Sequence, residues 1–147
     1  MYHTILFAVV ALLLPLDLLA ETIVSCDGKL TGRSYYFSGG NIPEERGGWV
    51  NDQVALGTIA IAIDAEENMD VLFTAADGTL RSAKDEGAVI LPLGATPEAI
   101  SLLVSYPGTV VEVYTYHAEK NEISLNQVKY GTLVNKTAVM VGPCTSE

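Results

Sequence analysis

Positive charge is scarce in this chain: 8 Lys and Arg stand against 18 Asp and Glu in 147 residues, a formal net charge of −10. A field of that sign repels phosphate backbones, and no cluster of basic residues offsets it locally. Nucleic acid and anionic membrane surfaces are therefore not expected partners. Histidine is rarer still, with only His3 and His117. A transition-metal site calls for several His or Cys ligands, which this inventory does not supply, so neither a metal nor another cofactor is expected. No G-x-S-x-G turn, S-x-x-K, G-x-G-x-x-G or Walker-type loop occurs. Their absence removes the usual signatures of serine hydrolases and of nucleotide cradles. A His-assisted nucleophile would have to use His117, whose ordinary reading is a strand-end residue meeting solvent.

The amino terminus is the clearest positive feature. An unbroken apolar run from Ile5 to Leu14 is followed by Pro15, Asp17 and a small residue, Ala20. That is the anatomy of a secretory signal peptide over residues 1–20, although the basic residue that usually precedes the apolar run is missing. Pro15 and Asp17 interrupt the run before it reaches the ~20 apolar residues that a membrane-spanning helix needs. Cleavage after Ala20 leaves residues 21–147 as one domain, with a net charge of −9 once Asp17 is removed. Its length suffices for a single core but not for two. The expected destination is secreted or periplasmic.

Two cysteines remain, Cys26 and Cys144, one near each end. In an oxidising compartment that pattern reads as a disulfide joining the first strand to the last. The competing reading makes Ile23-Val24-Ser25-Cys26 a lipoprotein processing site, with membrane contact through a lipid on Cys26. Asp17 and Glu21 interrupt the apolar run that should lead into such a site, and Cys144 would be left unpaired.

Period-two alternation dominates the remainder. Thr58 to Ile63 puts three isoleucines on one face, and Val71 to Ala75 follows a polar turn. Pairing Ile63 with Val71 would set Ile61 opposite Phe73 and Ile59 opposite Ala75. Asp77-Gly78 is a hairpin signal of the type I′ kind. Thr96-Pro97-Glu98 resembles a helix start, so residues 97–105 are open between helix and strand, with one turn and then a strand preferred. Tyr106-Pro107-Gly108-Thr109 reads as a type II turn. If it is tight, Leu102 and Val104 share the core face with Val111 and Val113, and Glu112, Tyr114 and Tyr116 lie on a mixed opposite face. Further strands are expected at Glu122 to Gln127, Lys136 to Val141 and near Ser34 to Phe37, with a long connection from Ser38 to Val54. The fold class is all-β: a small antiparallel barrel or sandwich of about eight strands, mostly meander, with the termini joined by the disulfide.

Candidate ligand-binding residues fall in two groups. The first is the segment around two Gly-Gly pairs: Tyr35, Tyr36, Glu44, Arg46 and Trp49, although Trp49 and at least one of Tyr35 and Tyr36 are expected in the core rather than at a site. The second is Glu112 alternating with Tyr114 and Tyr116, a carboxylate between aromatic rings. Four carboxylates between Asp64 and Asp70 suggest calcium, but they lack the EF-hand spacing and glycine, and a charged hairpin tip explains them. No residue is assigned a catalytic role. The expectation is an exported, non-enzymatic binding or interaction domain for an unidentified protein or small-molecule ligand. The alternatives are a small hydrolase using His117 or paired carboxylates such as Glu112 with Glu44 or Glu45, and a structural envelope component.

Overall fold

A computed structural model describes residues 21–145. The expected leader, 1–20, and its cleavage point lie outside the described residues. Nine strands follow in order: β1 (Glu21–Tyr36), β2 (Gly48–Ile63), β3 (Met69–Thr74), β4 (Leu80–Ser82), β5 (Val89–Ala95), β6 (Ala99–Tyr106), β7 (Val110–His117), β8 (Glu122–Lys129) and β9 (Lys136–Pro143). Every ladder is antiparallel, and the spatial order is β4-β3-β2-β1-β9-β8-β7-β6-β5. Two meanders, β1 to β4 and β5 to β9, are thus joined at the centre by the pairing of the first strand with the last. The outermost strands, β4 and β5, share no ladder, so the barrel alternative fails and the arrangement is sandwich-like. The segment joining β4 to β5 crosses this gap, and β3 packs beside β5.

β1 and β2 are each 16 residues long, and the sequence revealed only part of either. Bulges between Thr22 and Val24 and between Asp27 and Lys29 break the alternation by which a strand is read. The segment Gly48 to Val54 belongs to β2 rather than to a long connection. Its polar run Asn51-Asp52-Gln53 looks like a loop, but its ladder partners are Arg33, Gly32 and Thr31. At the β2–β3 turn the ladder pairs Ile63 with Met69, Ile61 with Val71 and Ile59 with Phe73. The expected register is off by two residues, which preserves the shared face.

At Tyr106 the slip is one residue, which inverts the faces. Thr109 N–H donates to the Tyr106 carbonyl at 3.1 Å and Gly108 takes φ +79°, as a type II turn requires. The ladder nevertheless begins at Tyr106 with Val110, leaving three residues in the loop. Leu102 and Val104 therefore share the interior with Glu112 and Tyr114, and Val111 and Val113 face outward. The hairpin at Asp77-Gly78 forms, but only Gly78 has positive φ, so it is not type I′. Residues 99–106 are strand: Thr96 Oγ1 accepts the Glu98 and Ala99 N–H groups at 3.2 Å each, capping a turn rather than a helix.

The interior is filled from both meanders by Leu30, Ile59, Ile61 and Val71 on one side and Leu102, Val104, Ile123, Leu125 and Met140 on the other. Gly32 permits the central crossing of β1 by β9, since a Cβ there would lie 2.0 Å from the Val139 carbonyl oxygen. A disulfide joins Cys26 to Cys144 across 118 residues. Asn121, at φ +52°, holds the far side of that bond: its carbonyl accepts the Cys144 N–H and its side-chain amide donates to the Cys144 carbonyl, both at 2.7 Å. The disulfide places the domain in an oxidising, extracellular-type environment. It also leaves Cys26 no thiol for a lipid. Among the described residues no helix is long and apolar enough to cross a membrane.

Opposite the core, the outer face of the sheet is built from directly paired rows. One runs Leu91, Leu103, Val113, Asn126, Val139, Arg33 across β5, β6, β7, β8, β9 and β1. The next runs Val89, Ser105, Val111, Val128, Thr137, Tyr35 and continues to Trp49 on β2. Beyond the first row, Ser101, Thr115, Ser124, Val141 and Thr31 form a third.

Candidate functional site

Alternation along β7 turns Glu112 and Tyr114 inward, and their neighbours across the ladders are Val104 and Leu102 on β6 and Gln127 and Leu125 on β8. Where the two meanders diverge, Glu112, Tyr114, Leu125 and Gln127 floor a cleft of about 400 Å³. Val54, Ile59 and Phe73 come to it from β2 and β3, Tyr106 and Val110 from the β6–β7 turn, and Glu86 and Lys129 also line it. The lining is thus mainly apolar and aromatic, with the Glu112 carboxylate at the floor and Glu86 and Lys129 as its other charged groups.

Glu112 is 9% exposed. Tyr114 Oη donates to its Oε2 at 2.8 Å, and Gln127 Nε2 donates to its Oε1 at 2.7 Å. Burial pushes the Tyr114 phenol well above the ordinary tyrosine range, and the adjacent Glu112 charge and hydrogen bond add to this. Tyr106 is pushed up to about 12, by burial first and then by the charge on Glu112. Both phenols are therefore neutral at physiological pH. No Lys or Arg forms an ion pair with Glu112 among the described residues. Its charge is held by two neutral donors, and an ionised carboxylate has about four acceptor positions. About two remain.

A second polar cluster lies on the interior face of β1, β2 and β9. Ser34, fully buried, donates to Asp52 Oδ2 at 2.6 Å; Tyr36 Oη donates to the same oxygen at 3.2 Å, and Lys136 Nζ at 3.0 Å. Burial alone would raise the Asp52 pKa, but the Ser34, Lys136 and Gln53 hydrogen bonds outweigh it and lower it to about 2. The Lys136 ammonium also lies 5.5 Å from the centre of the Tyr36 ring. Each member is engaged within the cluster, which reads as an internal brace rather than a receptive site.

The eight sequence candidates separate into five places. Glu112 and Tyr114 come together in the cleft. Tyr116 points inward at the opposite end of β7 and donates to Asn121 Oδ1 at 3.0 Å. Tyr36 belongs to the Asp52 brace. Tyr35 and Trp49 pair edge to face on the outer surface with ring centroids 5.4 Å apart, and Arg33 lies 5.3 Å over the indole. Trp49 is 54% exposed, which corrects its expected place in the core. Because Gly48 and Trp49 are strand residues beside Tyr35 and Tyr36, the indole stands on the outer face. Glu44 and Arg46 sit on an exposed 3₁₀ turn, Glu44–Arg46, and line no part of the cleft.

Sequence reasoning missed Gln127, Tyr106, Phe73 and Lys129. Gln127 was within reach, because inward alternation on β8 puts it on the face of Leu125; only the β7–β8 register, which the sequence leaves open, brings it to Glu112. His117 is exposed at the end of β7, and no serine hydroxyl donates to it among the described residues. At the acidic tip, Asp64 Oδ1 accepts the Glu66 and Asn68 N–H groups at 3.0 and 2.8 Å, so it serves the turn. No group of three or more metal-ligating side chains is present among the described residues. Comparison of the chain with protein families, curated proteins and solved structures finds no match.

Proposed function

We propose that this chain is an exported, non-enzymatic binding domain whose ligand site is the cleft over Glu112. The supporting observation is a buried carboxylate without a bound cation, held by two neutral donors at the floor of an apolar cleft of about 400 Å³. That volume lies in the range of small-molecule sites, where apolar walls give affinity and one or two polar groups fix orientation. The ligand class that fits is a small molecule with an apolar body and a cationic or strongly donating head. The head takes the free acceptor positions of Glu112, and the body lies against Phe73, Val54 and Leu125.

The test is NMR titration of ¹⁵N-labelled protein with hexylammonium, hexanol and hexanoate. Hexylammonium should shift the Tyr114, Gln127 and Phe73 resonances and bind at least tenfold more tightly than hexanoate, and Glu112→Gln should abolish that preference. Shifts confined to the outer face, or equal affinity for hexanoate, would overturn the assignment.

A hydrolase remains the second reading because Glu86 also lines the cleft. Against it, Arg81 Nη1 already engages Glu86 Oε1 at 2.9 Å. Turnover of p-nitrophenyl glycosides that is lost in both Glu86→Gln and Glu112→Gln would establish that reading in place of ours. Export itself is tested by the amino-terminal residue of protein recovered from the medium or periplasm, which should be Glu21. An unprocessed Met1 would count against it.

A further inference from the structure

The outer face of β1 and β5 to β9 is the one broad side of the molecule almost free of charge. Across its three paired rows the only ionised side chain is Arg33, and that guanidinium lies over Trp49. Most acidic residues lie off these rows: on the hairpin tips from Asp64 to Asp70 and at Asp77, on the β4–β5 segment, on the Glu44–Arg46 turn and at Glu98 and Glu119, with Asp52 and Glu112 turned inward and Glu122 at the margin of the face, one pair beyond Ser124. In a chain of net charge −10 this distribution leaves one approach along which two copies can meet without bringing carboxylates together.

The same face sets valine and leucine among neutral Ser, Thr and Asn side chains. Val89, Leu91, Val128, Val139 and Val141 are 41–60% exposed. Six strands at ~4.8 Å spacing, with Trp49 on a seventh, make the face about 34 Å wide, and three rows at ~6.8 Å make it about 20 Å tall. The product, about 700 Å², approaches the ~800 Å² per partner of a standard stable interface. Edge-to-edge association is less suited. β4 has only three residues, and β5 carries Pro92, which lacks an N–H, beside a bulge between Pro92 and Gly94.

We infer that this face binds a second copy of the chain, sheet against sheet about a two-fold axis. A two-fold contact sets the same patch against itself, which suits a surface whose residues are, Arg33 apart, uncharged. With like-charged rims held apart, added salt should screen the residual repulsion and tighten the dimer.

Sedimentation equilibrium of the chain beginning at Glu21, from 1 µM to 1 mM, tests this. The expected result is a monomer–dimer equilibrium whose Kd falls as NaCl rises from 20 to 500 mM. Val139→Glu, at a half-exposed position, should raise Kd at least tenfold with an unchanged circular dichroism spectrum and Tm, and Val128→Glu should do the same. Leu93→Lys, beside the β5 bulge, should leave Kd unchanged. A wild-type chain still monomeric at 1 mM overturns the inference. So does a dimer that survives both Glu variants, or one abolished only by Leu93→Lys.

Discussion

Replacing Cys26 and Cys144 together by alanine removes the one covalent link between the first strand and the segment that follows the last. The bond closes a loop of 118 residues that contains eight whole strands and most of β1. Loop-closure entropy for that length is about 16 cal/mol/K, or about 5 kcal/mol at 25 °C, all of it exerted on the unfolded chain. Both cysteines are about 95% buried, so losing the sulfurs adds a small packing loss. The entropy of unfolding of a chain this long is about 0.26 kcal/mol per kelvin, so the expected fall in Tm is 15–20 °C. Urea denaturation and scanning calorimetry of the double variant measure it, with the wild type in dithiothreitol as a parallel arm. The two arms should agree within about 1 kcal/mol. A loss below about 1 kcal/mol in both would refute the reasoning, because the unfolded chain would then already hold its ends together.

Three other outcomes follow from single sites. Gly32→Ala places a methyl 2.0 Å from the Val139 carbonyl oxygen, where only backbone movement can make room; a loss of about 3 kcal/mol or more, or failure to fold, is expected in the same denaturation assay. Asp52 has a pKa lowered from 3.8 to about 2, so its share of stability is present above pH 4 and is lost as pH falls through 2. After allowance for solvent screening that share is about 1 kcal/mol, and Asp52→Asn should flatten the acid limb of the stability profile by that amount. Tyr106 is pushed up to about 12 and Tyr114 well above the ordinary tyrosine range, so absorbance at 295 nm should show both phenols still neutral at pH 10.5. Because a raised pKa favours the folded state only while the phenol is neutral, stability should decline as pH rises from 10 to 12.

The fold class was legible because it rests on period-two alternation and turn chemistry, which act locally. The isoleucine face of β2 and the strands β7, β8 and β9 follow from such signals, and the disulfide from two cysteines standing near opposite ends of the chain. The register was not, because it depends on how many residues a turn absorbs. At Asp64 the turn holds Asp64 to Asn68, a slip of two that changed no face. At Pro107 it holds three residues, a slip of one that moved Glu112 and Tyr114 from a solvated face into the interior. The candidate site was therefore legible as a set of residues but not as a cavity. The long β1 and the first half of β2 were illegible because their stability comes from partners rather than from pattern: Asn51, Asp52 and Gln53 are poor strand formers held by the neighbouring backbone.

The pairing of the first strand with the last has a temporal meaning for a chain synthesised from its amino terminus. β1 to β4 can pair among themselves as they emerge, since each of their ladders joins neighbours in sequence. From Thr31 to Tyr36, however, one edge of β1 is left bare until β9 arrives about 100 residues later. That interval exposes a long unpaired edge to other nascent copies, and it makes the final closure slow and dependent on a distant contact. Two self-contained meanders joined at a single seam should also tolerate a cut. Proteolysis between Lys84 and Gly87 ought to leave both halves associated, and only a reductant together with denaturant should release them.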